Sequence, residues 1–196
     1  MRALLVRHAT CAPAGRVLAG RREGVQLSDA GRAQAASLAE RVRHEGLAAV
    51  YASPLERTAE TAEVIARAAG IPMRADDAFI ELDFGEWTGR EIASLRDDRL
   101  WQRYLAYRSG TRPPSGELSL EAQARAVTGL YALTRAHPNH AVAIVTHAEI
   151  IRGILGHCLG IPLDLQQRVE IAPASLSIVE LDDSGPRVAR VNEIAH

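Results

Sequence analysis

Four apolar residues, Ala3-Leu4-Leu5-Val6, stand at the start of the chain, and a charged pair, Arg7-His8, ends the run abruptly. A strand with no polar alternation is one covered on both faces, and few architectures provide that. Runs of the same kind return at Leu47 to Ala52 and at Ala141 to Val145, each followed by a helical pattern. Repeated strand–helix units predict a three-layer α/β/α sandwich around a mostly parallel central sheet. In such sheets ligands sit outside the carboxyl ends of the strands. The residues that follow each run are therefore the first candidates for chemistry.

Between the first two strands, Cys11 to Gln26 reads as loop, with Pro13, Gly15, Gly20 and Gly24. Of its arginines, Arg22 is expected to face solvent, while Arg16 and Arg21 are open between solvent and an anion. Ser28 is placed as an N-cap with Asp29 behind it. The stripe Ala35, Leu38, Ala39 and Val42 then predicts a helix closed before Gly46. Ser53-Pro54 reads as a second helix start, serine as cap and proline at the first position. Ala62, Ile65, Ala66 and Ala69 form its buried stripe before Gly70, and a short strand is expected at Ile71 to Arg74.

The stretch from Phe79 to Gly116 breaks the rhythm. It holds six of the eight aromatics and ends in Pro113-Pro114-Ser115-Gly116. Trp101, Tyr104, Leu105 and Arg108 share one helical face. Two readings stand together: a peripheral helical subdomain with its own small aromatic core, and a cap, about 87–118, that turns an arginine or two inward. Regular alternation then resumes with Ser119 capping a helix to about Ala136 and another helix at Glu149 to Leu159, closed by Gly160. A hairpin is predicted from Ser175 to Leu181 and Val188 to Val191. With no internal repeat or linker, one domain over 1–196 is expected, large enough to bury about 70% of its unfolded surface without a staple.

Composition narrows the chemistry. All 23 basic residues are arginine, so Schiff bases and a P-loop lysine are excluded. A net charge of −1 offers no attraction to nucleic acid or to an anionic membrane. No apolar run approaches the length of a membrane span. Cys11 and Cys158 match no zinc spacing, and two isolated cysteines point to a reducing cytoplasm. A homodimer stays open.

In a parallel sheet the ends at Arg7-His8, at the helix start bearing Arg57, and at Thr146-His147 lie along one edge. Two histidines, two arginines and two helix N-termini would converge there, which suits a dianionic phosphoryl group without a metal. Read singly, each residue also has a structural explanation: a satisfied loop histidine, or Arg57 paired with Glu56 or Glu60. Metal binding by His8 and His147 is a third option, disfavoured by the neighbouring guanidinium charges. Cys11 is either a passive small residue near this place or a redox switch.

Five segments now carry a resemblance: Leu5-Val6-Arg7-His8-Ala9; Leu27-Ser28-Asp29-Ala30-Gly31-Arg32; Ser53-Pro54-Leu55-Glu56-Arg57-Thr58-Ala59-Glu60-Thr61-Ala62; Phe79-Ile80-Glu81-Leu82-Asp83-Phe84-Gly85-Glu86-Trp87; and Val145-Thr146-His147-Ala148 with Ile151-Arg152. In this order they resemble the histidine phosphatase superfamily, the phosphoglycerate mutase-like fold. That resemblance implies catalytic roles for His8, Glu81, His147, Arg7 and Arg57. His8 would attack phosphorus as a neutral imidazole and become a phosphohistidine. Arg7, Arg57 and His147 would hold the equatorial oxygens, with the Ala148 N–H as a further donor. Glu81 would be the general acid, with Asp83 and Glu86 as rivals for that role or as structural residues. Arg21, Arg103 and Arg108 are the expected contacts to the rest of the substrate.

The chain also departs from the family pattern. Ala9 stands where glycine is common and Thr10-Cys11 where Glu-Thr is frequent. Ala14 stands where the mutases carry an asparagine that contacts phosphate. Pro113 to Ser119 resembles the Pro-Gly-Glu-Ser turn of small phosphatases, and the cap is short. The resemblance therefore implies a metal- and cofactor-free phosphomonoesterase acting on a small phosphorylated metabolite. The alternatives are a cofactor-dependent phosphoglycerate-type mutase and a non-catalytic phospholigand binder.

Overall fold

A computed structural model describes residues 1–12 and 16–194. Six strands form one sheet in the order β3-β2-β4-β1-β5-β6. The first four are β1 (Arg2–Arg7), β2 (Leu47–Ala52), β3 (Met73–Ala75) and β4 (Ala141–Thr146); β5 (Ser175–Asp182) and β6 (Gly185–Ile194) form the terminal hairpin. The parallel pairs are β1–β4, β4–β2 and β2–β3, and β5 adds to β1 in the antiparallel sense.

The period-2 geometry of β1 shows why its run is unbroken. Leu4 and Val6 enter a core with Leu38, Ala39, Ile65 and Ala66, from α1 (Asp29–Val42) and α2 (Glu56–Ala69). Ala3 and Leu5 face the other way, into a core with Ala126, Leu130, Ile151 and Leu155, from α4 (Ser119–Ala136) and α5 (Ala148–Leu159). All four strand residues are fully buried. The layered α/β architecture is therefore as the sequence predicts. No helix among the described residues is long and apolar enough to cross a membrane.

Several local expectations change. Ser28 does cap α1, its Oγ accepting from the Gly31 N–H at 3.0 Å. Ser53 does not cap α2: the helix begins at Glu56, after Leu55, because Ser53 is drawn into the interior by another partner. Ser119 is likewise the first residue of α4 rather than its cap, with Leu118 preceding the helix.

The aromatic stretch holds three short 3-10 turns (Asp77–Phe79, Gly85–Trp87, Ile92–Leu95) and α3 (Arg99–Ala106). It has no separate core. Phe79, Phe84, Trp87, Trp101 and Tyr104 join the same apolar cluster as Leu5 and Ile144. Trp87 meets Trp101 edge to face at 5.1 Å and Tyr104 at 5.5 Å. Leu105 leaves that face and is 47% exposed.

The neck of this segment is tight. Gly85 has φ +53°, and a Cβ there would stand 1.9 Å from the Pro114 carbonyl oxygen. A Cβ on Gly116 would lie 2.5 Å from the Asp83 carbonyl oxygen. The two strands of the neck are joined by Glu86 N–H to Pro114 O and Glu117 N–H to Asp83 O, both 2.9 Å.

Candidate active site

The carboxyl ends of β1, β2 and β4 meet as the parallel pairing requires. The His8 N–H donates to Thr146 O at 2.9 Å, and the Ser53 N–H to Val145 O at 3.0 Å. A cavity of about 350 Å³ opens on this edge, with Arg7, His8, Arg57, Glu81 and Ala148 in its wall. The last expected residue, His147, lies directly behind: its ring centroid is 5.2 Å from that of His8, and it is fully buried.

His8 Nδ1 lies 2.8 Å from its neighbour's carbonyl, Ala9 O. A carbonyl only accepts, so Nδ1 carries the proton and Nε2 keeps its lone pair. Burial, then the positive Arg57 and Arg7, push the His8 pKa down to about 3. The imidazole is thus neutral, with the Nε2 lone pair free. The Ala9 peptide is itself held, its N–H donating to Thr61 Oγ at 3.2 Å while that hydroxyl donates to Arg57 O at 2.7 Å.

The two arginines are bound by carbonyls rather than carboxylates. Arg7 Nη1 donates to Ile171 O at 2.5 Å, and Arg57 Nη2 to Gly20 O at 2.6 Å. Arg57 is 1% exposed and does not pair with Glu56 or Glu60, whose oxygens accept from the Gly24 and Leu27 N–H groups. Arg7 Nε and Arg57 Nη1 are buried without a protein partner. Unmatched donors on two guanidinium groups that border the cavity fit an anionic ligand.

His147 follows β4 and immediately precedes α5. Its Nε2 lies 2.8 Å from Ser53 Oγ and its Nδ1 3.3 Å from Arg57 Nη2. Burial and Arg57 lower its pKa well below the usual imidazole value. Both ring nitrogens are engaged by protein, which is a more indirect placement than the equatorial oxygen contact expected for it.

Glu81 is delivered by the segment after β3. The Asp76 N–H donates to Ala52 O at 2.8 Å, and Thr146 Oγ1 to Phe79 O at 2.6 Å, so the chain crosses the sheet edge before reaching Glu81. Burial, reinforced by the negative Glu149 and opposed by Arg57, lifts its carboxyl to about 7. Its rivals are structural: Asp83 accepts from the Gly85 N–H at 2.8 Å, and Glu86 from the Ser115 hydroxyl at 3.0 Å.

The expected outer contacts need correction. Arg21 does not line the cavity; it donates to Glu81 O at 2.8 Å and to Glu117 at 2.9 Å, bracing the acid from outside. Arg103 is on the exposed side of α3 and borders no part of the cavity. Arg108 is buried under Tyr104, with its guanidinium 4.6 Å from the ring centre, and donates to Glu149 at 3.1 Å. Its charge is therefore held by a carboxylate of the cavity wall. Arg22, expected in solvent, stands exposed at the cavity rim.

Ser53, Glu149 and Arg152 belong to the site and had no such role in the sequence reading. Glu149 and Arg152 line the cavity and pair at 3.0 Å. Their signal was position: both lie in the first turns of a helix that starts at a candidate site residue. Cys11 also lines the cavity as a free thiol. Ala14 lies outside the described residues. Among the described residues no three His, Cys, Asp or Glu side chains come together as a metal-ligand set.

Known proteins are similar to this chain in sequence and in fold. The chain is 31% identical over 183 residues to a probable phosphoglycerate mutase, GpmB, of Yersinia pestis, covering 92% of this chain and 85% of that protein. The solved structure of Bacillus stearothermophilus YhfR superposes with a TM-score of 0.93 at 26% identity, over 100% of this chain and 98% of that one. A mycobacterial glucosyl-3-phosphoglycerate phosphatase gives 0.88 at 22% identity, over 98% of each chain, and shares the fold. The family model described as histidine phosphatase superfamily (branch 1) matches residues 3–194, and the chain belongs to that superfamily.

Proposed function

We propose that the chain is a metal-independent phosphomonoesterase that transfers the phosphoryl group of a small phosphorylated metabolite to His8 Nε2 and then to water. The observation that carries this reading is geometric: His8, with its Nε2 lone pair free, shares one cavity with two carbonyl-held guanidinium groups and the Glu81 carboxyl. His8 is kept neutral by burial and by Arg57, while Glu81, with its carboxyl at about 7, still holds a proton near neutral pH. A neutral nucleophile and a protonated acid beside it are what in-line displacement of an ester oxygen needs.

In the proposed sequence, Nε2 attacks phosphorus as the P–O bond to the leaving group breaks. Glu81 gives its proton to the departing oxygen. Arg7, Arg57 and the Ala148 N–H at the start of α5 meet the equatorial oxygens, where charge is spread in the transition state. His147 stands behind and keeps Arg57 in place. Water then attacks the phosphohistidine and returns a proton to Glu81, releasing phosphate and restoring His8.

The test is hydrolysis of p-nitrophenyl phosphate by the wild type and by His8→Ala, with and without EDTA. Turnover that survives EDTA and is lost in the variant, by roughly a thousandfold or more, is expected. Wild type inactive on every phosphoester would overturn the reading in favour of a binder. A second reading, phosphoglycerate mutase, is favoured by the name of the 31% identical relative. It predicts phosphoglycerate interconversion that depends on bisphosphoglycerate.

A further inference from the structure

Ser53 is fully buried, directly beyond β2, and has no duty as a helix cap. Its position is fixed from several sides. The Ser53 N–H donates to Val145 O at 3.0 Å, its carbonyl accepts from Thr58 Oγ1 at 2.9 Å, and its Oγ accepts weakly from the Leu55 N–H at 3.4 Å. The remaining contact of that oxygen, at 2.8 Å, is to His147 Nε2.

The partners decide the tautomer of His147. The guanidinium of Arg57 is donor only, and its Nη2 lies 3.3 Å from Nδ1, so Nδ1 must present a lone pair. The proton of the neutral ring is then on Nε2, and Ser53 Oγ accepts it. The opposite tautomer would set an Nδ1–H against the N–H of Arg57, donor against donor. Nδ1 also faces Glu81 Oε2, 3.8 Å away, and both Arg57 and Glu81 line the cavity.

We propose that Ser53 is a positioning residue for phosphoryl transfer: by accepting from His147 Nε2–H it keeps Nδ1 bare, as the acceptor that orients the Arg57 guanidinium. The role rests on the reading of this cavity as a phosphoryl-transfer site. Without Ser53 the proton is free to settle on Nδ1. The ring then repels the guanidinium it should orient. Loss of one such contact is expected to cost about tenfold in kcat/KM.

Nitrogen-15 imidazole spectra of the wild type, Ser53→Ala and Ser53→Thr, recorded beside their kinetics on p-nitrophenyl phosphate, test this. The wild type should show His147 protonated at Nε2 and bare at Nδ1. Ser53→Ala should show Nδ1 protonation together with the rate loss, and Ser53→Thr should restore both. A wild-type ring protonated at Nδ1 overturns the proposal, even if Ser53→Ala fails to fold. So does a folded Ser53→Ala with the wild-type tautomer, or with the wild-type rate. The expected tautomer in a wild type that turns over no phosphoester overturns the phosphatase reading instead, since the spectrum does not depend on turnover.

Discussion

Two groups of arginines in this protein look alike in sequence and differ in what holds them. At the strand ends, Arg7 and Arg57 are held by the carbonyls of Ile171 and Gly20, and each keeps a buried nitrogen unmatched. In and beside the aromatic segment, Arg108 meets Glu149 and Arg112 meets Glu121. A carbonyl fixes a guanidinium without cancelling its charge, whereas a carboxylate fixes and neutralises it together. Only the first group stays electrostatically open to an anion, and the number of arginines in a segment says nothing about which kind they are.

The sharpest way to break this comparison is Arg57→Ala. It should lower kcat/KM by roughly a hundredfold to a thousandfold, and Arg57→Lys should not restore it, because an ammonium cannot reach Gly20 O and an equatorial oxygen with one planar fork. A loss below about fivefold would mean that carbonyl-held arginines are structural too.

Next comes Glu81→Gln, with an expected loss of about a hundredfold on an alkyl phosphate and less on p-nitrophenyl phosphate, whose leaving group needs little protonation. The pH profile carries the sign. If Glu81 is the acid, as proposed, kcat/KM should fall as pH rises through about 7, while His8, neutral down to about 3, imposes no limb in the neutral range. Glu81→Gln should abolish the alkaline limb. A wild-type profile that rises through pH 7 would reverse the assigned protonation states.

Arg108→Ala should act on stability rather than turnover. It removes a buried cation from Tyr104 and Glu149, at a cost on the order of 1–3 kcal/mol in chemical denaturation, with kcat/KM within about threefold of the wild type. Smallest of all, Arg103→Ala should change neither stability by more than about 0.5 kcal/mol nor kcat/KM by more than about twofold. A tenfold kinetic effect of Arg103→Ala would return the exposed face of α3 to the substrate.

The parts of the site that were legible in the sequence are those dictated by sheet geometry. An unbroken apolar run implies cover on both faces, parallel strands bring their ends to one edge, and Arg7, His8 and Arg57 follow from that. Glu81 rested on the resemblance, and only the crossing of residues 76–80 over the edge explains its arrival. The illegible parts depended on which of two partners a side chain chooses. Ser53 before Pro54 has the composition of a cap, and nothing local reveals that a histidine far along the chain takes its hydroxyl. Arg21 and Arg108 were misread for the same reason, since the carboxylates that take them, Glu117 and Glu149, lie far along the chain, whereas Arg103 simply faces solvent. The aromatics of the segment were misread as a separate core because their partners, such as Leu5 and Ile144, are also distant in sequence.

The pinched crossing of Gly85 and Gly116 has a consequence for how such a protein can diversify. Everything from Trp87 to Ser115 leaves and returns through one fastened gap, with Glu81 anchored on the near side by Arg21 and the Thr146–Phe79 contact. The excursion beyond the gap is nevertheless no free-standing module: Trp87, Trp101 and Tyr104 pack into the core that holds Leu5 and Ile144, and Arg108 grips Glu149 in the cavity wall. Rewriting the far side of the two glycines therefore reaches the cavity only through those shared contacts, and a variant that keeps them leaves Glu81 where Arg21 and Phe79 hold it.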